Sequence, residues 1–285
     1  MPTVYRVFVK KRSFPALALC VAAALAPFPH AGAAAVADPD YQVKLRLSDT
    51  AVGADGAPSA QFRSFFDVRE SSGAEQSVYF DTADGLLANH GWTARLRHKD
   101  GAQGYDVTYK YRLPLEGNSV SSESVGAGLE EARKQNFDAS DTNYAAQVNA
   151  SYATSTLDFS TKKSAACVTA QCEIPSADKA VAIVKDLEPG KFAKATGTTL
   201  AASDLKMTQT VEQRTWRVEI GGVKTDLEIA TFGGQVWAEI SEEETSRKDA
   251  VRKRDTLVAE LDRAGLLVHE DAFKTGNVIE SGWQQ

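Results

Sequence analysis

The stretch Asp40-Tyr41-Gln42-Val43-Lys44-Leu45-Arg46-Leu47 alternates strictly, with apolar residues at odd positions and acid, amide, base and base at even ones. Side chains on a strand point to opposite faces with a period of two, so this pattern predicts a strand with one buried and one charged face. Alternation recurs at 61–68, 77–80, 92–98 and 105–113, and again at 144–159, 213–220, 223–229 and 235–241. Gly- and Asp-bearing turns, such as Lys99-Asp100-Gly101 and Gly221-Gly222, separate most of these runs. The Ser/Gly-rich stretch 117–128 reads as a mobile loop. Two helices are predicted. Ser176 is placed to cap one that runs through Ala180, Val181, Ile183, Val184 and Leu187 and stops at Pro189-Gly190. The other, 245–264, puts Val251, Leu257, Val258, Leu261 and Ala264 on one stripe, with Gly265 to end it. Strands dominate and do not alternate with helices, which predicts an antiparallel sandwich or a closed barrel.

The polar faces are sorted by region. Lys44 and Arg46 lie with Asp40 and Gln42; Arg95 pairs with Arg97, and Lys110 with Arg112. Late strands bring acids instead: Asp226 with Glu228, and Glu239 beside Ser241, with Arg214 opening the strand before them. A sandwich would place such residues on a solvated face, where cross-strand ion pairs are common. A closed barrel with a charged interior makes sense only if water, ions or a charged ligand fill it, because unpaired charge away from water is costly.

The order of motifs bears on that choice. Val78-Tyr79-Phe80-Asp81-Thr82, Leu86-Leu87, Gly91, Ala94-Arg95-Leu96-Arg97 and Val107-Thr108-Tyr109-Lys110 together resemble the CYTH superfamily, the triphosphate tunnel metalloenzymes. That family often reads YFDT, a Leu-rich turn, G-x-x-x-R-x-R and L-T-L-K. Its E-x-E-x-K signature, often continued as E-V-E-L-K-L-R-L, corresponds to the opening strand at Asp40–Leu47. The resemblance covers most of 40–265, with an insertion around 115–200. It implies an α+β fold, mainly an eight-stranded antiparallel barrel open as a tunnel with a few flanking helices. It also implies a small phosphorylated or polyphosphate ligand and metal-dependent hydrolysis with Mg²⁺ or Mn²⁺. A non-catalytic polyanion-binding tunnel is the alternative. Carried over residue by residue, Lys44, Arg46, Arg95, Arg97, Lys110 and Arg214 become the phosphate clamp, since guanidinium forks match phosphate oxygens. Glu228 and Glu239, with Asp40 and Asp226, become the metal ligands, since hard cations take carboxylate oxygens. Three positions depart from the family pattern: Asp40 is shorter than glutamate, Gln42 is a neutral amide, and Ser241 stands where a late carboxylate is expected.

Arg6, Lys10, Lys11 and Arg12 precede an apolar run over 14–26, and Ala35-Val36-Ala37 reads as a cleavage site, so residues 1–37 read as a secretory signal peptide. Leu17-Ala18-Leu19-Cys20 is a poor lipoprotein box, because Leu19 is too large and Cys20 lies inside the apolar run. The expected mature chain, residues 38–285, is exported to the periplasm or the medium as one tunnel domain. Cleavage removes four bases and no acid, moving the net charge from −6 to −10, which disfavours a general nucleic-acid or anionic-membrane binder. No later segment is apolar and long enough to insert in a membrane. Cys167 and Cys172 then remain, either as a local disulfide in an oxidising compartment or as half of a zinc site that lacks further ligands nearby. His90 and His98, the sequon Asn149-Ala150-Ser151, and Trp92, Trp216 and Trp237 receive surface or packing roles; no Ser-His-Asp, Walker or HExxH pattern is present.

Overall fold

The protein is described from a computed structural model that covers residues 34–169, 171–271 and 273–284. The predicted leader up to residue 33 lies outside the described residues. In chain order the elements are β1 (Asp40–Leu47), α1 (Ala60–Phe65), β2 (Asp67–Thr82), α2 (Leu86–Asn89), β3 (Trp92–Lys99), β4 (Gly104–Pro114), α3 (Ser122–Lys134), β5 (Ala145–Ala150) and β6 (Ser155–Ala166). There follow α4 (Ala177–Asp186), α5 (Gly190–Thr196), β7 (Leu205–Met207), β8 (Val211–Ile220), β9 (Val223–Phe232), β10 (Gln235–Glu244), α6 (Arg247–Arg263) and α7 (Lys274–Glu280).

The sheet runs β3-β4-β6-β5-β1-β10-β9-β8-β2 and closes through β2–β3, so nine strands form a barrel and β7 lies outside it, paired to β2. Every barrel pair is antiparallel except β1–β5, which is parallel, with Asp40 opposite Gln147 and Gln42 opposite Asn149. The expected eight antiparallel strands are thus corrected to nine in a mixed barrel. The run 144–159 is not one strand but the hairpin β5–β6, turning at residues 151–154.

The barrel is inverted relative to an ordinary core. On β1, Tyr41, Val43, Leu45 and Leu47 are buried on the outer face, and Gln42, Lys44 and Arg46 turn inward. The outward apolar rows of the strands pack under a jacket of helices. Helix α6 lies across β1, β5, β8, β9 and β10 through Ala250, Leu257 and Leu261; α3 covers β4 and β6, and α4 covers β3 and β7. One end of the lumen is itself apolar, with Tyr79, Val211, Ala230, Phe232 and Trp237 gathered around Val278 of α7. Trp283 pairs with Thr208, and the Gln284 N–H donates to the Met207 carbonyl, fastening this C-terminal segment to β7 and the turn after it.

Two further expectations change. The start of 61–68 is helix α1, begun by Ser59, whose hydroxyl accepts the Phe62 N–H at 3.1 Å. The Ser/Gly-rich stretch 117–128 runs into α3, where Ser121 caps the Ser124 N–H at 3.1 Å and Val125, Leu129 and Ala132 face the barrel. At Gly128 a Cβ would stand 2.6 Å from Leu115 Cδ2, so a larger residue there would have to displace the Leu115 side chain. Ser176 does sit at the N-cap position of α4 but makes no capping bond. Because Leu257 is fully buried between helix and barrel, Leu257→Ala should lower the unfolding free energy by about 3 kcal/mol in urea denaturation at an unchanged slope.

Candidate functional site

The inward faces enclose a cavity of about 690 Å³. Its wall is polar nearly throughout, and the charges fall into two poles. The basic pole is built by β1, β3 and β4. Arg95 and Arg97 project from β3, Lys110 and Arg112 from β4, and Lys44 and Arg46 from β1. Asp158, fully buried on β6 and opposite Arg112 in the ladder, receives Arg112 through two bonds at 2.8 and 2.7 Å and Lys110 at 3.0 Å. Burial alone would raise the Asp158 carboxyl, but these two cations hold it well below the usual carboxylate range. One carboxylate therefore serves two bases. Lys110 pays the difference: burial, with the charges of Arg112 and of Lys44 across the lumen, pulls its ammonium down despite Asp158.

The remaining bases differ in how far they are committed. Arg97 is held by Glu75 at 3.2 Å and Asp106 at 3.1 Å. The Arg46 guanidinium lies 4.5 Å from the centre of the Trp237 ring. Arg95 lines the lumen with no ion pair or side-chain hydrogen bond to another described residue.

The acidic pole is built by β9 and β10, where Glu228 and Glu239 stand directly opposite each other. Between them comes a residue from outside the barrel. Lys274, the first residue of α7, reaches Glu239 Oε1 at 3.2 Å and Glu228 Oε2 at 3.4 Å, and also donates to Gln213 Oε1. Lys44 approaches Glu239 Oε1 from β1 at 3.1 Å, and the Trp237 indole N–H donates to Oε2 at 2.9 Å. Burial would raise Glu239, yet Lys274 and Lys44 hold it well below its ordinary value. Both ammoniums are shifted upward in return, against the opposing effect of their own burial.

No protein-family profile matches the sequence, and no curated protein does. Solved structures do match. A Hippeastrum protein, a candidate adenylyl cyclase with a dominant triphosphatase activity, aligns at 15% identity and a TM-score of 0.50, over 84% of this chain and 94% of its own. A candidate adenylate cyclase from Bacillus halodurans gives 0.45 at 13% identity, over 84% and 97%. One from Vibrio parahaemolyticus gives 0.41 at 12%, over 85% and 99%. The chain has the CYTH, or triphosphate-tunnel, fold.

Within the tunnel, Lys44, Arg46, Arg95, Arg97 and Lys110 all line the lumen, as do Asp226, Glu228 and Glu239. Arg214 does not. The inward set of β8 is Gln213, Thr215 and Arg217, and Arg214 lies on the outer face with its guanidinium 4.8 Å from the centre of the Trp216 ring. Arg217 takes its inward place and pairs with Asp226 at 2.9 Å. Asp40 is exposed at the start of β1, outside the lining. Sequence reasoning passed over Asp158, Arg217 and Lys274, and left Arg112 out of the basic set. Asp158 was hidden when 144–159 was read as one strand, since the turn resets which residues face inward. Cys167 and Cys172 form a disulfide with Cα atoms 5.0 Å apart, beyond the end of β6.

The divalent metal implied by the resemblance does not fit these residues. Glu228 and Glu239 share an ammonium, Asp226 pairs with Arg217, and Gln42 donates its amide to Ser241 Oγ at 3.0 Å. Among the described residues, no three His, Cys, Asp or Glu side chains converge as a metal site. No chemical step is therefore assigned to a metal.

The depressed Asp158 carboxyl has a consequence for acid stability. Its folded value lies below the unfolded one, near 3.9, so its stabilisation is complete above about pH 4 and is lost as pH falls below that. Asp158→Asn should cost about 3 kcal/mol or more at pH 7, by leaving Lys110 and Arg112 uncompensated. The gap to wild type should then narrow on acidification below about pH 4 in urea melts taken across that range.

Proposed function

We propose that the tunnel binds a phosphorylated polyanion, of the triphosphate or polyphosphate class, on its basic pole. The observation that supports this reading is the imbalance there. Among the described residues Arg95 is unpaired, Lys110 and Arg112 share the single carboxylate of Asp158, and Lys44 stands near enough to repel Lys110. An anion with several oxygens relieves that repulsion and accepts charge-assisted hydrogen bonds from the guanidinium forks. Triphosphatase activity belongs to the Hippeastrum neighbour, and it makes the triphosphate class the first probe to use. Metal-assisted hydrolysis is the weaker reading, because the carboxylates that would hold the metal are paired with ammoniums and a guanidinium.

Calorimetric titration of the full chain with tripolyphosphate in excess chelator should show binding that weakens as salt rises. Arg95→Ala and Lys110→Ala should each weaken it by about tenfold or more. Phosphate release should stay at background with Mg²⁺, Mn²⁺ or neither. Binding seen only with added metal, or turnover that a metal switches on, would contradict the reading.

The proposal extends to location. The order of basic, apolar and small-residue stretches over 1–37 supports export before the tunnel acts. N-terminal sequencing of protein recovered outside the cytoplasm should begin near Asp38; recovery of the intact leader in the cytoplasm alone would count against it.

A further inference from the structure

We propose that Lys274 is the built-in cation of the acidic pole, standing where a divalent ion would otherwise sit, and that removing its ammonium creates a divalent-cation site between Glu228 and Glu239. The donors around Nζ carry the argument. Two carboxylates from adjacent strands and the carbonyl oxygen of Gln213 converge on one point. Such an all-oxygen set suits Mg²⁺ or Mn²⁺ as well as it suits an ammonium, which has three N–H donors for three acceptors.

Charge gives the same result. Lys44 also contacts Glu239, so the two carboxylates face two ammoniums and this pair has no negative surplus to attract a metal. A metal entering beside Lys274 would meet an ammonium on either side of Glu239. It can bind well only by displacing one of them.

Lys274 is also held in place from both sides. Before it, the Asp271 carboxylate accepts the N–H groups of Tyr152, Ala153 and Thr154 at the β5–β6 turn, and Phe273 lies under the Arg112 guanidinium at 4.1 Å. After it, Val278 is buried against Trp237 and its neighbours. The C-terminal segment thus threads a lysine into the lumen between two anchors, and only 13% of its side chain remains exposed.

The test is a Mn²⁺ titration of the full chain, reading free Mn²⁺ by electron paramagnetic resonance, with no phosphate present. Its outcome is therefore independent of whether the basic pole binds polyanions. Lys274→Ala should bind Mn²⁺ about tenfold or more tightly than wild type. Lys274→Arg should match wild type, and adding Glu239→Gln to Lys274→Ala should remove the gain. Mn²⁺ should also raise the melting temperature of the alanine variant and leave that of wild type unchanged. Should the alanine variant fail to fold without metal, Lys274→Gln preserves the bulk of the side chain and should show the same gain. Wild type binding Mn²⁺ as tightly as the variants would overturn the proposal, and so would the absence of any gain in a folded variant lacking the ammonium.

Discussion

A closed sheet whose apolar rows face outward must collect every polar row in one enclosed space, and the charges brought there have to be matched where water is scarce. That constraint governs the rest of this molecule. It explains why helices jacket the barrel: Val43, Leu45, Ile240 and Leu227 need α6 outside them because they cannot turn into the lumen. It explains why Asp158, with no exposed surface, is tolerated at all, since two bases converge on it. It also explains why a residue from beyond the barrel enters it. Glu228 and Glu239 opposite each other would repel unless a cation lay between them, and Lys274 is that cation.

The two poles follow from how the matching is done. On the acidic side Glu228 and Glu239 are in contact with Lys44 and Lys274, so that pair of carboxylates is electrostatically matched. On the basic side the bases outnumber the acids that reach them, and Arg95 has no ion pair with another described residue. The proposed binding of anions rests on that imbalance and calls for no metal bridge. The end of the lumen around Trp237 and Val278 is apolar and offers such an anion no charged partner.

Much of this was legible in the chain. The alternation of Asp40–Leu47 fixed which side chains go inward, and the arginines of β3 and lysines of β1 and β4 followed from the same period of two. Arg214 shows how narrow that logic is. Trp216, Val218 and Ile220 set the outer face of β8, so Arg214 falls outside and Arg217 inside, and a reading anchored on the apolar residues would have found this. Asp158 required knowing that the chain turns at 151–154, a turn carrying no glycine or proline. Lys274 was not legible, because nothing local in Phe273-Lys274-Thr275 signals that a lysine is destined for a carboxylate pair more than thirty residues back along the chain. Its role is set by the closing of the barrel and the course of the chain after α6. Long-range ion pairs of this kind have no periodicity to betray them.

The most direct measurement is a crystal structure of the full chain soaked with both tripolyphosphate and Mn²⁺, with anomalous data collected to locate the metal. The account predicts phosphate density against Arg95, Lys110 and Arg112, Lys274 still bonded to Glu228 and Glu239, and no anomalous peak between those carboxylates. A Mn²⁺ peak held by Glu228 and Glu239, with Lys274 displaced and phosphate oxygens completing the metal's shell, would contradict it.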